Sequence, residues 1–363
     1  MLGRGLLAPL GSLASAIYGK AIATRNAAFD AGRGVVHMDR PVISIGNLSV
    51  GGTGKTPMVV HVLGVLRDAG KRPCVAMRGY RAGPDGSDEA ALYRRVRAGV
   101  PIVARPDRVE GLIELFATSE GEDIDTIVLD DGFQHRRLAR QLDIVLLDAT
   151  RSVFLDRLLP SGWLREPVSS LARAHAVVVT HAERVPARVV DEMLRRVREV
   201  SPRALLATAR HEWLDLRVHH GHDVQVRPVE WLRARRVVAA CAIGNPEAFI
   251  AQARDAAGKE LVETIAFRDH DPFNARSIAR IAKAAAKCDA IVVTEKDWSK
   301  LAKVPPETWP CAVAVPRLGM QFERGGGELT AAIVEAARAL PHEHEDHTDR
   351  ARHADDADLA NEA

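Results

Sequence analysis

Short apolar runs alternate with stretches of helical periodicity along most of this chain. Runs that predict buried strands cover residues 42–45, 74–77, 102–103, 126–129, 144–147, 177–180, 237–244, 261–266 and 291–293. Helical spacing between such runs predicts an α/β fold, in which helices cover both faces of a parallel sheet. In folds of this kind, functional sites lie at the carboxyl ends of the strands.

The first predicted strand leads into a glycine-rich turn. Residues 51–56 read Gly-Gly-Thr-Gly-Lys-Thr, and a helix is predicted over residues 57–66. Glycines let backbone N–H groups curl around an anion, and the N-terminus of the next helix adds partial positive charge. Lys55 then reaches the β- and γ-phosphates of a nucleotide, and the Thr56 hydroxyl holds Mg²⁺. The turn therefore predicts a nucleoside triphosphate site.

This turn departs from the usual phosphate-loop pattern at one position. The pattern G-x-x-x-x-G-K-S/T has glycine where this chain has Ser49. We expect Gly51 and Gly52 to supply the missing conformational freedom. The alternative interpretation is a glycine-rich hairpin turn, which the flanking strand and helix disfavour.

Two adjacent carboxylates, Asp130 and Asp131, follow the strand predicted at residues 126–129. Buried strands rarely end in two acids without a cation to offset the cost of burying them. In P-loop enzymes an acid at this place meets magnesium directly or through water. The pair therefore predicts a magnesium-holding element, and the alternative is a plain acidic cap between a strand and a turn.

A second acidic pair, Asp88 and Glu89, lies in a segment rich in glycine, proline and aspartate that begins at residue 82. This composition predicts a loop. On the pattern alone, the default interpretation of both carboxylates is a solvated loop.

Leu6, Leu10, Leu13 and Ile17 form an apolar stripe at helical spacing near the N-terminus. The uncharged stretch at residues 5–19 is short for a bilayer span but suits a helix that lies on a membrane surface. The alternatives are a helix packed on the core and a secretory signal cleaved near residues 14–16. Secretion conflicts with a phosphate loop that needs cytosolic nucleotide.

Composition limits the class of protein and its partners. With 363 residues, 47% hydrophobic and 27% charged, the chain is long enough for two packed domains. Its net charge of +2 gives no overall basic field, which argues against a nucleic-acid partner. The four cysteines lack metal-ligand spacing, so we expect reduced core thiols in a cytosolic setting.

Motifs spread along the chain resemble those of one family. They lie at residues 45–57, 78–80, 88–89, 130–135, 159–167, 267–273 and 294–297. In this order they resemble the tetraacyldisaccharide 4′-kinases, the lipid A kinases of Gram-negative bacteria, over roughly residues 1–320. The most specific are Gly-Gly-Thr-Gly-Lys-Thr-Pro with its preceding strand, and Asp-Asp-Gly-Phe-Gln-His at residues 130–135.

The resemblance implies an activity and a location. The family transfers the γ-phosphate of ATP, with Mg²⁺, to the 4′-hydroxyl of a tetraacylated glucosamine disaccharide 1-phosphate, which is a lipid A precursor, to give lipid IVA. The implied partners are this precursor and the inner-membrane surface. The implied location is peripheral, on the cytoplasmic face of the bacterial inner membrane.

The resemblance also implies roles for individual residues. Asp88 acts as base for the sugar hydroxyl and His270 orients it, while Asp130 and Asp131 serve the metal site, which Glu89 joins. Because His270 and Asp88 fall in different predicted domains, we expect the pair to form when the domains close. Lys55 is also implied to be catalytic, and Thr56 to bind the metal. The implied nucleotide contacts are Ser49, Val50, Gly51, Gly52, Thr53, Gly54, Lys55, Thr56, Arg78 and Arg108.

The predicted domains follow from the same motifs. They are an amphipathic membrane-associating helix (1–30), a P-loop kinase domain (36–208), a hairpin-like connector (209–235), a smaller α/β domain that closes the cleft (236–340) and a disordered tail (341–363). The tail has several histidines among many acids and few apolar residues, which favours disorder over a metal site.

Two departures from the family pattern and two rival functions remain. Ser87 replaces an expected glycine, and His181 stands where a lysine is common, which leaves the adenine contacts open. A membrane-associated regulatory ATPase of the partitioning type would carry a lysine at Val50. A GTP-dependent binding module would need the guanine-reading motif N-K-x-D, but the lysine of residues 294–297 comes one position too late.

Overall fold

The structure, a computed structural model, describes residues 7–79, 93, 99–258, 261–269 and 271–339. Its strands are β1 Val42–Asn47, β2 Pro73–Met77, β3 Ile102–Ala104, β4 Thr126–Asp130, β5 Leu142–Asp148, β6 Ala176–Thr180, β7 Leu205–His220, β8 Asp223–Arg227, β9 Val237–Cys241, β10 Leu261–Ala266, β11 Ala290–Val293 and β12 Ala312–Arg324. Its helices are α1 Leu7–Asp30, α2 Lys55–Asp68, α3 Arg108–Phe116, α4 Ser119–Glu122, α5 Ala187–Val200, α6 Pro246–Ala257, α7 Ala275–Ala285, α8 Glu295–Leu301 and α9 Gly326–Ala336.

These strands form one sheet in the order β10-β9-β11-β12-β7-β6-β5-β1-β4-β2-β3, with β8 paired to β7. Neighbours run parallel except in the pairs β12–β7 and β7–β8. The predicted α/β fold with a P-loop-like parallel sheet is therefore confirmed. The strand that carries the phosphate loop, β1, lies between β4 and β5.

A long antiparallel ribbon of β7 and β12 joins the two parallel parts of the sheet. Pairing with β6 uses the first residues of β7, where Val179 lies opposite Thr208. Pairing with β11 uses the first residues of β12, where Val292 lies opposite Ala314. Because β7 and β12 run in opposite directions, the carboxyl ends of the two parallel parts point toward each other along the ribbon. Both functional edges therefore face the middle of the ribbon.

The sequence pattern predicted most of the strands but missed β12 and α9. β12 is buried in its first half, more exposed in its second half and interrupted by Pro316, so no continuous apolar run marks it. β7 and β8 form the expected hairpin. β7 also runs through residue 208, where one domain was predicted to end. The division into domains stays a prediction, and the whole predicted tail at residues 341–363, like residues 1–6, lies outside the described residues.

Strand β1 is closely packed by its neighbours. All six residues of β1 are buried, and α2 packs beside it through Met58, Val62 and Leu66. Gly46 lies against the turn after β4, where an added Cβ would come within 2.5 Å of the Phe133 backbone nitrogen. Because only glycine permits this approach, Gly46 brings the phosphate loop next to the turn that follows β4.

Helix α1 packs on the loop between β5 and β6 through polar side chains. Ser15 Oγ donates to the Leu158 carbonyl at 3.0 Å, and the Tyr18 hydroxyl donates to the Arg165 carbonyl at 2.9 Å. These hydrogen bonds fix the orientation of α1 on the rest of the protein.

The opposite side of α1 is apolar and exposed. Leu13 and Ile17 are 61% and 64% exposed and lie one turn apart, on the side of the helix away from Ser15 and Tyr18. This is the reverse of the usual arrangement, in which the apolar stripe faces the core. Within the ranges that the structure describes, no helix is both long and apolar enough to cross a bilayer.

Candidate active site

The phosphate loop joins β1 to α2, which begins at Lys55. Gly51 and Gly54 have φ angles of 128° and 85°, which other residues rarely adopt. At Gly54 a Cβ would also lie 2.5 Å from His211 Nε2, so both backbone conformation and space require glycine. Thr180 Oγ1 donates to the Thr53 carbonyl at 2.9 Å and so ties the loop to the end of β6.

Ser49 does not need the conformational freedom of glycine. It forms an antiparallel bridge with Leu164, and the Val50 N–H donates to the Trp163 carbonyl at 2.8 Å. This extended pairing is a conformation that any residue adopts. The departure from the usual pattern at Ser49 therefore leaves the loop geometry intact.

Lys55 reaches toward the turn after β4. Its Nζ donates to Asn47 Oδ1 at 3.3 Å and lies 3.5 Å from Asp131 Oδ1. Asn47 is the last residue of β1, so the ammonium group is held above the carboxyl end of this strand. The structure thus brings together the lysine and one of the acids that the sequence assigned to a single site.

Asp131 is held between two cations. In addition to Lys55, Arg165 Nη1 lies 2.7 Å from its Oδ2. The backbone φ of 51° is left-handed, a conformation that aspartate tolerates better than most residues. Burial raises the pKa of Asp131, but the charges of Lys55 and Arg165 outweigh burial and hold the pKa below its ordinary value. Asp131 is therefore an anion at neutral pH.

Asp130 is the last residue of β4 and is buried. The Tyr93 hydroxyl donates to its Oδ2 at 2.9 Å, whereas its Oδ1 has no hydrogen-bond partner among the described residues. Burial raises the pKa of Asp130, and the charge of Lys55 opposes this rise. Because a buried carboxylate oxygen without a donor is costly, the geometry of Asp130 fits a bound cation.

Of the remaining predicted site residues, the structure describes Arg108 and Arg78. Arg108 is buried at the start of α3, and its charge lowers the pKa of both Asp130 and Asp131, so it belongs to the same edge. Arg78 is exposed just after β2. The other three, Asp88, Glu89 and His270, lie outside the described residues, so their roles stay predictions. In the described part of the chain, no group of three or more His, Cys, Asp or Glu side chains is placed to hold a metal ion.

Sequence reasoning gave no role to Arg165 or Gln134. Arg165 Nη1 donates to Gln134 Oε1 at 3.3 Å, and Gln134 Nε2 donates to the Asn47 carbonyl at 3.0 Å. Together they link the phosphate loop, the turn after β4 and the loop before β6. One feature of the sequence pointed to Arg165: it lies in a proline-bounded loop that was expected at the same edge of the sheet as Asp130 and Asp131. Sequence spacing did not show that Arg165 contacts Asp131.

A histidine pair lies beside the phosphate loop. The rings of His181 and His211 meet edge to face with centroids 4.3 Å apart, and His181 Nδ1 lies 3.1 Å from Asp148 Oδ1. Burial, and then the electrostatic influence of the neighbouring His181, lower the pKa of His211 to about 3. His211 is therefore a neutral imidazole packed against Gly54 and next to His181.

Comparison with known proteins gives this geometry a context. A family model described as tetraacyldisaccharide-1-P 4′-kinase matches residues 6–333. The chain belongs to this family. The tetraacyldisaccharide 4′-kinase of Anaeromyxobacter sp. (strain K) is 36% identical over 352 residues, which is 91% of this chain and 90% of that protein. That of Geobacter sulfurreducens is 36% identical over 312 residues, or 82% and 85% of the two chains.

A solved structure agrees with the family assignment. The crystal structure of LpxK from Aquifex aeolicus in complex with ATP has a TM-score of 0.69 and 29% sequence identity, and the match covers 93% of this chain and 99% of that one. The family that the motifs indicated, and with it the prediction that the chain is a tetraacyldisaccharide 4′-kinase, is confirmed.

The buried state of His211 predicts how stability depends on pH in this kinase. Its folded pKa of about 3 lies below the ordinary value of 6.5, so between these values the unfolded chain binds a proton that the folded chain excludes. Stability is therefore lost as pH falls below 6.5, by at most about 1.4 kcal/mol per pH unit from this residue. His181 and Arg184 oppose protonation of His211, and Asp148 favours it.

We expect thermal unfolding midpoints measured from pH 7.5 to pH 4.5 to fall less steeply for His211→Gln than for the wild type. His220→Gln, at an exposed position on the same strand, is the matched control and should follow the wild-type curve. Equal slopes for His211→Gln and the wild type would contradict the buried, neutral state of His211.

Proposed function

We propose that this protein transfers the γ-phosphate of ATP to the 4′-hydroxyl of a tetraacylated glucosamine disaccharide 1-phosphate at the cytoplasmic face of the inner membrane. The observation that carries the proposal is the convergence of Lys55 and Asp131 at the carboxyl edge of the sheet, 3.5 Å apart. Family membership supports the acceptor, and the ATP in the related Aquifex aeolicus structure supports the donor.

The charges at this edge suit a polyanionic substrate. Phosphoryl transfer depends mainly on positioning and on neutralising the charge of the phosphates. Among the described residues at this edge, the cations Lys55, Arg108 and Arg165 lie around the carboxylates Asp130 and Asp131, an arrangement that suits a polyanion. Arg165 keeps Asp131 from neutralising Lys55 completely, which leaves the ammonium available to a phosphate.

The residues present fit a magnesium ion that arrives with the nucleotide. The Thr56 hydroxyl and the carboxylates of Asp130 and Asp131 would hold it, because Mg²⁺ prefers oxygen ligands and usually retains waters. Glu89 is a further predicted ligand. When bound, the ion would add positive charge beside the β- and γ-phosphates. The Oδ1 of Asp130, which has no hydrogen-bond partner in the part of the chain that the structure describes, is the observation that supports this assignment.

Asp88 and His270 complete the proposed machinery as the base and the residue that orients it. Asp88 takes the proton of the sugar hydroxyl as the phosphoryl group arrives, and a hydrogen bond from His270 fixes the direction of the carboxylate. Support comes from the ribbon of β7 and β12. The carboxyl end of β10, which precedes His270, points toward the phosphate-loop edge along this ribbon.

Helix α1 supplies the proposed contact with the membrane. The acyl chains of the acceptor stay in the bilayer, so the enzyme must work at its surface. Leu13 and Ile17 face away from the rest of the protein and are exposed, which suits insertion among lipid head groups. Helix α1 also hydrogen-bonds to the loop that carries Arg165, so the membrane contact and the site share one structural support.

The proposed chemistry predicts a separation between turnover and nucleotide binding. Asp88→Ala and His270→Ala should each lower kcat by roughly 10²- to 10⁴-fold, because proton transfer loses its base or the base its orientation. Affinity for ATP should change little, because neither residue contacts the phosphates in the proposed arrangement. The assay follows transfer of label from γ-labelled ATP to tetraacyldisaccharide 1-phosphate in detergent, with ATP affinity measured by calorimetry.

Lys55→Met is the matched comparison, because it should weaken both ATP binding and turnover. A large loss of ATP affinity in the Asp88 or His270 variant, with turnover retained, would refute their assignment. Hydrolysis of ATP without labelling of the lipid in the wild type would refute the kinase proposal itself.

The exposed stripe of α1 predicts a specific membrane defect. Leu13→Ser combined with Ile17→Ser should move the protein from the vesicle pellet to the supernatant in sedimentation with inner-membrane lipids, because about 0.8 kcal/mol is lost per buried CH₂. Activity on detergent-solubilised substrate should be kept. Ala23→Ser, at another exposed position on α1, is the control. If the double variant still sediments like the wild type, α1 is not the anchor.

A further inference from the structure

The loop after β10 lies at the carboxyl edge of the second parallel part of the sheet, beside β9, where the order of the strands reverses. β9 pairs with β10 on one side and with β11 on the other, and all three strands are parallel. The loops after these strands therefore meet at one edge, at the kind of switch point where α/β sheets hold ligands. His270, which the proposed function makes the orienting residue, belongs to the loop after β10.

Two lysines of α8 hold this loop on both sides of position 270. Lys296 Nζ lies 3.2 Å from Asp269 Oδ1, and Lys300 Nζ donates to the Asp271 carbonyl at 2.9 Å. The two lysines are four residues apart, so they project from the same side of the helix. One helix face therefore fixes the residues immediately before and after His270.

The far side of the loop is also fixed. Asp271 Oδ1 accepts from the Phe273 N–H at 2.7 Å and from Ser277 Oγ at 3.3 Å, at the start of α7. Phe273 is buried, and its ring packs edge to face on Phe267 with centroids 5.5 Å apart. The base of the loop is thus closed by packing, and the lysines of α8 add contacts at residues 269 and 271.

Helix α8 is itself anchored to the sheet by the Thr-Glu-Lys-Asp motif at residues 294–297. Asp297 is fully buried, and its Oδ2 accepts from Thr294 Oγ1 at 2.7 Å and from the Ala242 N–H, just after β9, at 3.0 Å. Thr294 Oγ1 accepts in turn from the Asp297 N–H at 3.1 Å. This motif therefore joins the end of β9 to α8, a structural use that differs from guanine recognition.

We propose that Lys296 and Lys300 are positioning residues, which hold Asp269 and Asp271 on either side of the residue that orients the base in the proposed function. The proposal rests on the proposed function, in which His270 orients the base. It gives the motif at residues 294–297 a role in turnover that acts through the loop after β10.

The exposure of the Lys296–Asp269 ion pair distinguishes a role in turnover from a role in stability. The side chains of Lys296 and Asp269 are 29% and 46% exposed, and ion pairs this exposed contribute little to folding. Rate is more sensitive, because a displacement of about 1 Å in a reacting group can cost about 100-fold. Loss of the lysines should therefore reduce turnover much more than it reduces stability.

The test compares Lys296→Met, Lys300→Met and the double variant with the wild type in the labelled-ATP assay. We expect each single change to lower kcat about 10-fold and the double change about 100-fold. ATP affinity should be unchanged, and the unfolding midpoint should stay within about 4 °C. Lys296→Arg should recover most of the rate, because it keeps the pair with Asp269. Lys283→Met, at an exposed position of α7, should match the wild type.

A double-mutant cycle with His270→Ala identifies the path of the effect. If the lysines act through His270, the double lysine change should lower kcat no further once His270 is alanine. An equal loss in both backgrounds, or wild-type rates in the lysine variants, would overturn the positioning role while leaving the proposed function in place. Wild-type turnover in His270→Ala alone would show that the proposed role of His270 is wrong, and the positioning role would fall with it.

Discussion

The ion network of Lys55, Asp131 and Arg165 is the interaction on which the rest of the site depends. It joins the first turn of α2, the turn after β4 and the loop before β6, at distances of 3.5 and 2.7 Å. Each of these segments comes from a different strand end, so the network exists only because the parallel sheet aligns those ends. Gly46 supplies the close approach between β1 and the turn after β4 that the network requires.

The ribbon of β7 and β12 extends this arrangement to the whole sheet. By reversing strand direction, it makes the carboxyl edges of both parallel parts face the same central stretch. His211 lies in this stretch, packs against Gly54 and accepts a hydrogen bond from Gln252 of α6 at its carbonyl, at 2.8 Å. The ribbon is therefore a direct link between the phosphate loop and the part of the chain that carries residues 269 and 271.

Sequence patterns revealed the elements better than the contacts between them. Apolar runs marked β1, β4 and β5 because strands buried on both faces have continuous apolar sequences, whereas β12, half exposed and interrupted by proline, gave no such run. Motif chemistry indicated that Lys55 and Asp131 belong to one site. Arg165, His211 and the lysines of α8 were not predictable in the same way, because their roles come from contacts between segments far apart in the chain.

The central claim of the proposed function is that Lys55 binds the terminal phosphate of a magnesium nucleotide, and that Asp130 and Asp131 hold the ion. The most direct test is a crystal structure with a non-hydrolysable ATP analogue and Mn²⁺, located by its anomalous signal. The account predicts the γ-phosphate within hydrogen-bond distance of Lys55 Nζ, and the ion between the Thr56 hydroxyl and Asp130. A γ-phosphate out of reach of Lys55, or an ion remote from both acids, would contradict it.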